Sequence, residues 1–126
     1  MVYRQHRLKR EEDFARVRAE GRSWSHRLLV LVARPNELGY ARFGFVVPRR
    51  LGKAVVRNRA RRLLREAARL LLPIIEGGWD IVLIAREPIR GLKMQQVRDA
   101  LEQTLRRAGI ARPETAPPPA REESVP

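Results

Sequence analysis

Two short runs set the terms for this chain: Leu28-Leu29-Val30-Leu31-Val32-Ala33 and Ile81-Val82-Leu83-Ile84-Ala85 are apolar at every position. Successive side chains on a strand point to opposite faces, so a strand with no polar face has to be covered on both sides. Runs of this length bounded by turn residues fit strands rather than helices. The rest of the chain must therefore supply packing layers.

The remaining elements follow from periodicity and punctuation. Lys9 or Arg10 to Glu20 reads as a short helix, with Glu11, Glu12 and Asp13 in the first turn, where acids suit the dipole, and Gly21 placed to end it. Residues 1–9 are basic and polar and are expected to be flexible until they meet a partner or pack over the sheet. Arg22 to His26 reads as a brief edge strand, and Arg27 to Arg34 as the first doubly covered strand. Tyr40 to Val47 alternates, with Ala41, Phe43, Phe45 and Val47 on one side and Tyr40, Arg42, Gly44 and Val46 on the other. The turn Pro35 to Gly39 predicts an antiparallel hairpin between these two strands. Pro48 stops the third strand, and Pro73 ends a long helix. After the Gly77-Gly78 turn, Trp79 to Arg86 forms the last strand. Met94 to Ala108 is a helix with Val97, Leu101, Leu105 and Ala108 as its stripe and Gly109 as its stop. The expected fold is α+β, a two-layer α/β sandwich of order αβββαβα with a four-stranded mixed sheet. A single domain is expected over residues 1–111, with a Pro-rich disordered tail over 112–126.

The long helix carries the chemistry. From Arg49 to Arg69 the chain holds eight Arg and one Lys against one acid, Glu66. At about 100° per residue, Ala60, Leu63, Leu64, Ala67, Leu70 and Leu71 share one arc, and Arg57, Asn58, Arg59, Arg61, Arg62, Arg65, Glu66 and Arg69 share the other. Arg57, Arg61 and Arg65 recur at i, i+4, i+8, where like charges repel by a few tenths of a kcal/mol per pair, roughly an i,i+4 attraction with its sign reversed. An anionic partner offsets that repulsion. The planar guanidinium fork suits phosphate, and Gly52 and Lys53 lead into a helix start whose free amides add to the same surface. Asn58 fits a phosphate, a hydrated metal or an N-cap role.

Composition agrees. The net charge is +13, and residues after Ala111 contribute two Arg against three Glu, so the body carries +14. Such a charge calls for a polyanion. Of the 27 basic residues three are lysine and 24 arginine. Without cysteine there are no disulfides and no thiolate chemistry, which fits the cytoplasm. The longest wholly apolar runs are six residues, far from the roughly 20 that span a bilayer, and the N-terminus lacks a signal-peptide core, so no membrane role is expected. Stand-alone hydrolysis lacks candidates: His6 and His26 are the only imidazoles, and each reads as a surface or RNA-contact group.

Gly52-Lys53-Ala54-Val55, then Arg57-Asn58-Arg59, Arg61-Arg62-Leu63 and Arg65-Glu66, closely resemble the signature of the protein subunit of bacterial ribonuclease P. The likeness extends upstream to Leu8-Lys9, Asp13-Phe14, Val17 and Gly21 and downstream to the strand at Trp79, covering about residues 4 to 109. It implies a left-handed βαβ crossover around the basic helix, against the usual rule. It implies an endonuclease, a ribonucleoprotein for tRNA processing, in which the RNA subunit performs Mg²⁺-dependent removal of the 5′ leader from precursor tRNA. The protein, one per catalytic RNA, then binds that RNA and the leader and strengthens substrate and Mg²⁺ binding, with the metal held mainly by RNA. Residues assigned to the RNA subunit on this basis are Arg49, Arg50, Lys53, Arg57, Asn58, Arg59, Arg61, Arg62, Arg65 and Arg69. A leader cleft between the first helix and the sheet is implied at Phe14, Arg18 and Val32. Arg18 and Val32 stand where relatives often carry aromatics, and Phe14 fits a plain core position as well. A ribosomal or RNA-chaperone-like factor is the rival, and a DNA reader comes third, since it needs a second helix of helix-turn-helix type where a strand is expected at Trp79 to Ala85.

Overall fold

The computed structural model describes residues 6–112. In chain order it holds α1 (Glu11–Glu20), β1 (Arg22–Ser25), β2 (Leu29–Pro35), β3 (Arg42–Val46), α2 (Ala54–Leu71), β4 (Trp79–Ala85) and α3 (Met94–Arg107), the expected αβββαβα order. The four strands form one mixed sheet in the order β1-β2-β4-β3. β2 runs antiparallel to both β1 and β4, and β3 runs parallel to β4.

The predicted β2–β3 hairpin is not formed, because β4 lies between the two strands. Its apolar residues on both faces require that inside position, where neighbours on each edge satisfy its backbone and layers cover its faces. The Pro35–Gly39 segment instead bridges over the end of β4. Asn36 fastens that bridge: its N–H donates to Gly78 O (3.0 Å), and its side chain donates to Tyr40 O (3.2 Å) and Asp80 Oδ1 (2.8 Å).

Alternation sorts the sheet into two cores. Leu29, Leu31 and Ala33 of β2, Ile81, Leu83 and Ala85 of β4 and Phe43 of β3 pack with Leu64, Ala67 and Leu71 of α2 and Val97, Leu101 and Leu105 of α3. On the opposite face Val32 and Val82 pack with Val17 of α1 and with Leu8, flanked by Phe14, Val30, Val46 and Ile84. Each fully buried Leu or Ile contributes about 1.5–3 kcal/mol. α2 and α3 cover most of their face, leaving Phe45 partly exposed at the β3 edge. The ten-residue α1 crosses the other face and leaves a cleft beside β3.

Both ends of the described chain are tied to the body. Residues 6–8 are fastened along the outer edge of β3: Leu8 N–H donates to Phe43 O (2.8 Å), Leu8 is buried, and His6 Nδ1 lies 2.7 Å from Ala41 O. The edge strand offered unpaired backbone groups, and this segment takes them up. At the other end Arg112 still belongs to the body, with its N–H on Ile74 O at 3.0 Å. The tail predicted beyond it lies outside the described residues.

One buried charge locks the sheet end. Asp80 is 2% exposed and accepts from Arg42 Nε (2.9 Å) and Arg42 Nη2 (2.8 Å) as well as from Asn36. Burial pushes the Asp80 carboxyl up, and the hydrogen bonds of Arg42 and Asn36 more than offset that, leaving it below its ordinary range. Arg42 also lies 3.9 Å from Asp13, which ties α1 to the same corner.

Candidate nucleic-acid interface

The surface begins where Pro48 ends the third strand. Arg49–Leu51 make a single 3₁₀ turn anchored by buried Leu51, and Gly52, at φ +144°, reverses the chain in a conformation open to glycine. Lys53 is the N-cap of α2 and no side chain caps it, so the first-turn amides and the positive dipole end sit next to Arg49, Arg50 and Lys53. Because the helix starts at Ala54, Asn58 falls in its second turn and not at the cap. Its Oδ1 accepts from Arg61 Nη1 at 3.3 Å.

The buried arc of α2 is Ala60, Leu64, Ala67, Ala68 and Leu71, turned slightly from the expected one, so that Ala68 is covered and Leu70 stays 39% exposed. The basic side chains fan out around the rest of the helix. Arg62, like Arg49, Arg50 and Lys53, is exposed and has no ion pair among the described residues. Arg57 folds back so that Nε donates to Gly52 O (3.1 Å), and Arg59 Nη2 donates to Leu92 O (2.7 Å). Of the eight arginines from 49 to 69, Arg69 alone among the described residues meets a carboxylate, that of Glu66, which it holds below its ordinary pKa range.

Arg61 and Arg65 lie on the side of α2 that looks toward β3. Arg65 stands over the Phe45 ring (5.9 Å to its centroid), and its Nε is buried with no hydrogen-bond partner. Burial lowers the Arg65 pKa from its ordinary value, and the charges of Arg7 and Arg61 lower it further. A cation short of both solvent and counter-charge is poised for an incoming anion.

That corner opens into the cleft beside α1. Two adjoining hollows share Phe14: one of ≈ 260 Å³ against Lys9, Glu11, Arg18 and Val46, and one of ≈ 250 Å³ against Arg7, Phe45, Arg61 and Arg65. Phe14 and Arg18, one helical turn apart, are thus brought together on the cleft wall. Val32 is not; at 8% exposure it lies in the core beneath α1. Arg7, Lys9, Phe45 and Val46 line the cleft without having been singled out from sequence. The alternation of β3, which put Gly44 and Val46 on one face, was a usable signal for Val46, whereas nothing local in the N-terminal segment marks Arg7.

A mixed sheet carrying an arginine-rich helix that runs into a cleft lined in part by phenylalanine fits an RNA-binding protein of the α+β class. The family model for ribonuclease P matches residues 2–109. The ribonuclease P protein component of Roseiflexus sp. strain RS-1 is 49% identical over 108 residues, 85% of this chain and 88% of that one, and that of Pelotomaculum thermopropionicum is 45% identical over 83% of this chain and 94% of its own. Among solved structures, the RNase P protein of Staphylococcus aureus superposes with a TM-score of 0.77 at 32% identity, covering 85% of this chain and 98% of that one. That of Thermotoga maritima gives 0.74 at 35% identity over 80% and 96%. The chain belongs to the ribonuclease P protein component family. It is accordingly an RNA-binding part of an endoribonuclease ribonucleoprotein for tRNA processing, with the ribonuclease P RNA as partner. No described helix is long and apolar enough to cross a membrane.

Proposed function

We propose that the protein serves its catalytic RNA by neutralising phosphates with α2 and by holding the single-stranded 5′ leader of precursor tRNA in the Phe14 cleft. The carrying observation is the continuity of the two surfaces: Arg61 and Arg65 belong to α2 and to the cleft wall at once. Two polyanions repel, and a body of charge +14 between them releases counterions and screens the repulsion. Arg49, Arg50, Lys53, Arg57, Asn58, Arg59, Arg62 and Arg69 extend the RNA-subunit contact along the helix.

Hydrolysis in this reading is the work of the RNA. Among the described residues no group of three or more His, Asp or Glu side chains comes together. The protein's contribution to metal binding is indirect: drawing RNA phosphates together deepens the potential that holds the cation on the RNA. The complex contains one protein per catalytic RNA and acts in the cytoplasm.

Reconstitution tests the proposal. Adding the protein to ribonuclease P RNA at low Mg²⁺ is expected to raise precursor tRNA cleavage, more for substrates with a leader of several nucleotides than for those with one. Unchanged cleavage rejects the reading, and equal gain for both substrates rejects the leader contact.

Gly44 gives a sharper probe of the cleft. A Cβ there would lie 2.5 Å from Phe14 Cζ and closer still to Cε1, so Gly44→Ala must push the ring off its seat on β3. Stacking on an aromatic ring contributes about 1–3 kcal/mol per base. Binding of a leader oligonucleotide, followed by fluorescence anisotropy, is therefore expected to weaken about tenfold, with RNA-subunit affinity retained. Undiminished leader binding removes Phe14 from the contact.

A further inference from the structure

On the far side of α2 from the leader cleft lies a second concave surface, a groove of ≈ 750 Å³ between the first two turns of the helix and the connection from β4 to α3. Its walls are apolar: Val55, Val56 and Ala60 from α2, and Pro88 and Ile89 from a 3₁₀ turn at Glu87–Ile89. Val55 is 79% exposed, against 46% and 39% for the other exposed large hydrophobics of the described chain, Leu38 and Leu70. The core has no use for it.

The rim has different chemistry. Arg59 and Arg90 flank the groove, and Val55, Arg59 and Arg62 share one face of α2 at i, i+4, i+7. Arg59 is held by its bond to Leu92 O at 2.7 Å, which links α2 to the opposite wall, so the groove is preformed. One acid, Glu87, lines it and has no ion-pair partner among the described residues. On a surface that only collects phosphates, such a carboxylate is a loss. It becomes useful against the N–H donors of a base edge.

Resting on the RNA-binding role proposed above, we infer that this groove receives an unpaired nucleotide of the RNA partner, separate from the leader. The base lies on Val55, Val56 and Pro88, its phosphates meet Arg59, Arg62 and Arg90, and its exocyclic amino group donates to Glu87. Cationic rims fit a polyanion, an aliphatic floor fits a base freed from stacking, and a lone carboxylate favours adenine, cytosine or guanine over uracil, whose one edge N–H lies between two carbonyl oxygens that the carboxylate repels.

Val55→Lys separates this from charge attraction alone, because it adds a cation while removing the apolar floor, at a position too exposed to matter for folding. With the full chain and oligoadenylate as probe, the groove predicts affinity about fivefold weaker for Val55→Lys. It also predicts shifts of the Val55 and Val56 methyl resonances on titration, and a preference for oligoadenylate over oligouridylate that Glu87→Ala erases. Tighter binding by Val55→Lys overturns the inference, as do unshifted methyls. So does loss of binding to phosphatidylglycerol vesicles with oligoadenylate affinity intact, since the occupant would then be lipid. Wild-type stimulation of precursor tRNA cleavage is measured in parallel: if it is present while the groove variants behave as wild type, only the groove fails, and if it is absent, the proposed function fails with it.

Discussion

Arg42→Leu is expected to destabilise the fold by about 3–5 kcal/mol at neutral pH, the range for stripping one partner from a buried ion pair. That is a large share of the roughly 5–15 kcal/mol by which domains are stable. The direction of the loss matters. Arg42 retains some contact with water, whereas Asp80, at 2% exposure, would keep its charge in the interior with Asn36 as its remaining side-chain donor. Asp80→Leu combined with Arg42→Leu is expected to recover part of the loss, because a neutral apolar pair leaves no charge stranded. The pH dependence carries the sign. In the wild type the Asp80 carboxyl lies below its ordinary value, so its contribution is complete above the unfolded value of about 3.9 and is lost as the pH falls through the folded one. Without Arg42 the burial effect is opposed only by the Asn36 hydrogen bond and the charge of Arg34, so that carboxyl rises relative to the wild type and the variant loses less stability as it takes up a proton. Urea unfolding on either side of the carboxylate range should therefore show the gap between wild type and Arg42→Leu narrowing toward acid. A gap that is constant or widens means that the pair is not what holds this corner.

The same corner shows where local sequence stops. The doubly apolar runs at β2 and β4 made layers obligatory, and the 3.6-residue period of α2 and α3 placed their buried sides within a residue or two. Those signals are carried by neighbours along the chain. Strand order is not: Asp80 and Arg42 are 38 residues apart, and only their meeting tells that β4 enters between β2 and β3. A turn motif such as Pro35–Gly39 fits a tight hairpin and a bridge over an intervening strand equally well, so the hairpin expectation was locally consistent and globally displaced. The arginine surface was legible because charge type and helical spacing are both local properties. The cleft was legible only at Phe14 and Arg18, which share a helix; Arg7, Phe45 and Val46 join them through tertiary packing, and Val32 drops out because α1 lies on top of it.

Replacing Arg61 and Arg65 together by alanine is expected to weaken binding of the catalytic RNA on the order of a hundredfold near physiological salt, taking about 1.5 kcal/mol for each charge-assisted phosphate contact. The slope of log affinity against log salt should flatten by about 2, one unit per lost contact. The free protein supplies the reason for the size of the effect. Arg65 is held half-buried with an unpartnered Nε, and Arg7 and Arg61 are near enough to lower its pKa, so the three cations repel one another across a hollow whose own lining holds no carboxylate, Glu11 lining the adjoining one. A bound phosphate relieves a strain that the unbound protein carries. Stability should consequently change little, since Arg65→Ala removes both the packing on Phe45 and the repulsion. Arg65→Lys divides charge from geometry: it keeps the salt slope but loses the fork that reaches two phosphate oxygens at once, and it should recover only part of the affinity. Unfolding of the double variant would mean that these side chains hold up the core. An unchanged salt slope would mean that the RNA passes elsewhere on the helix.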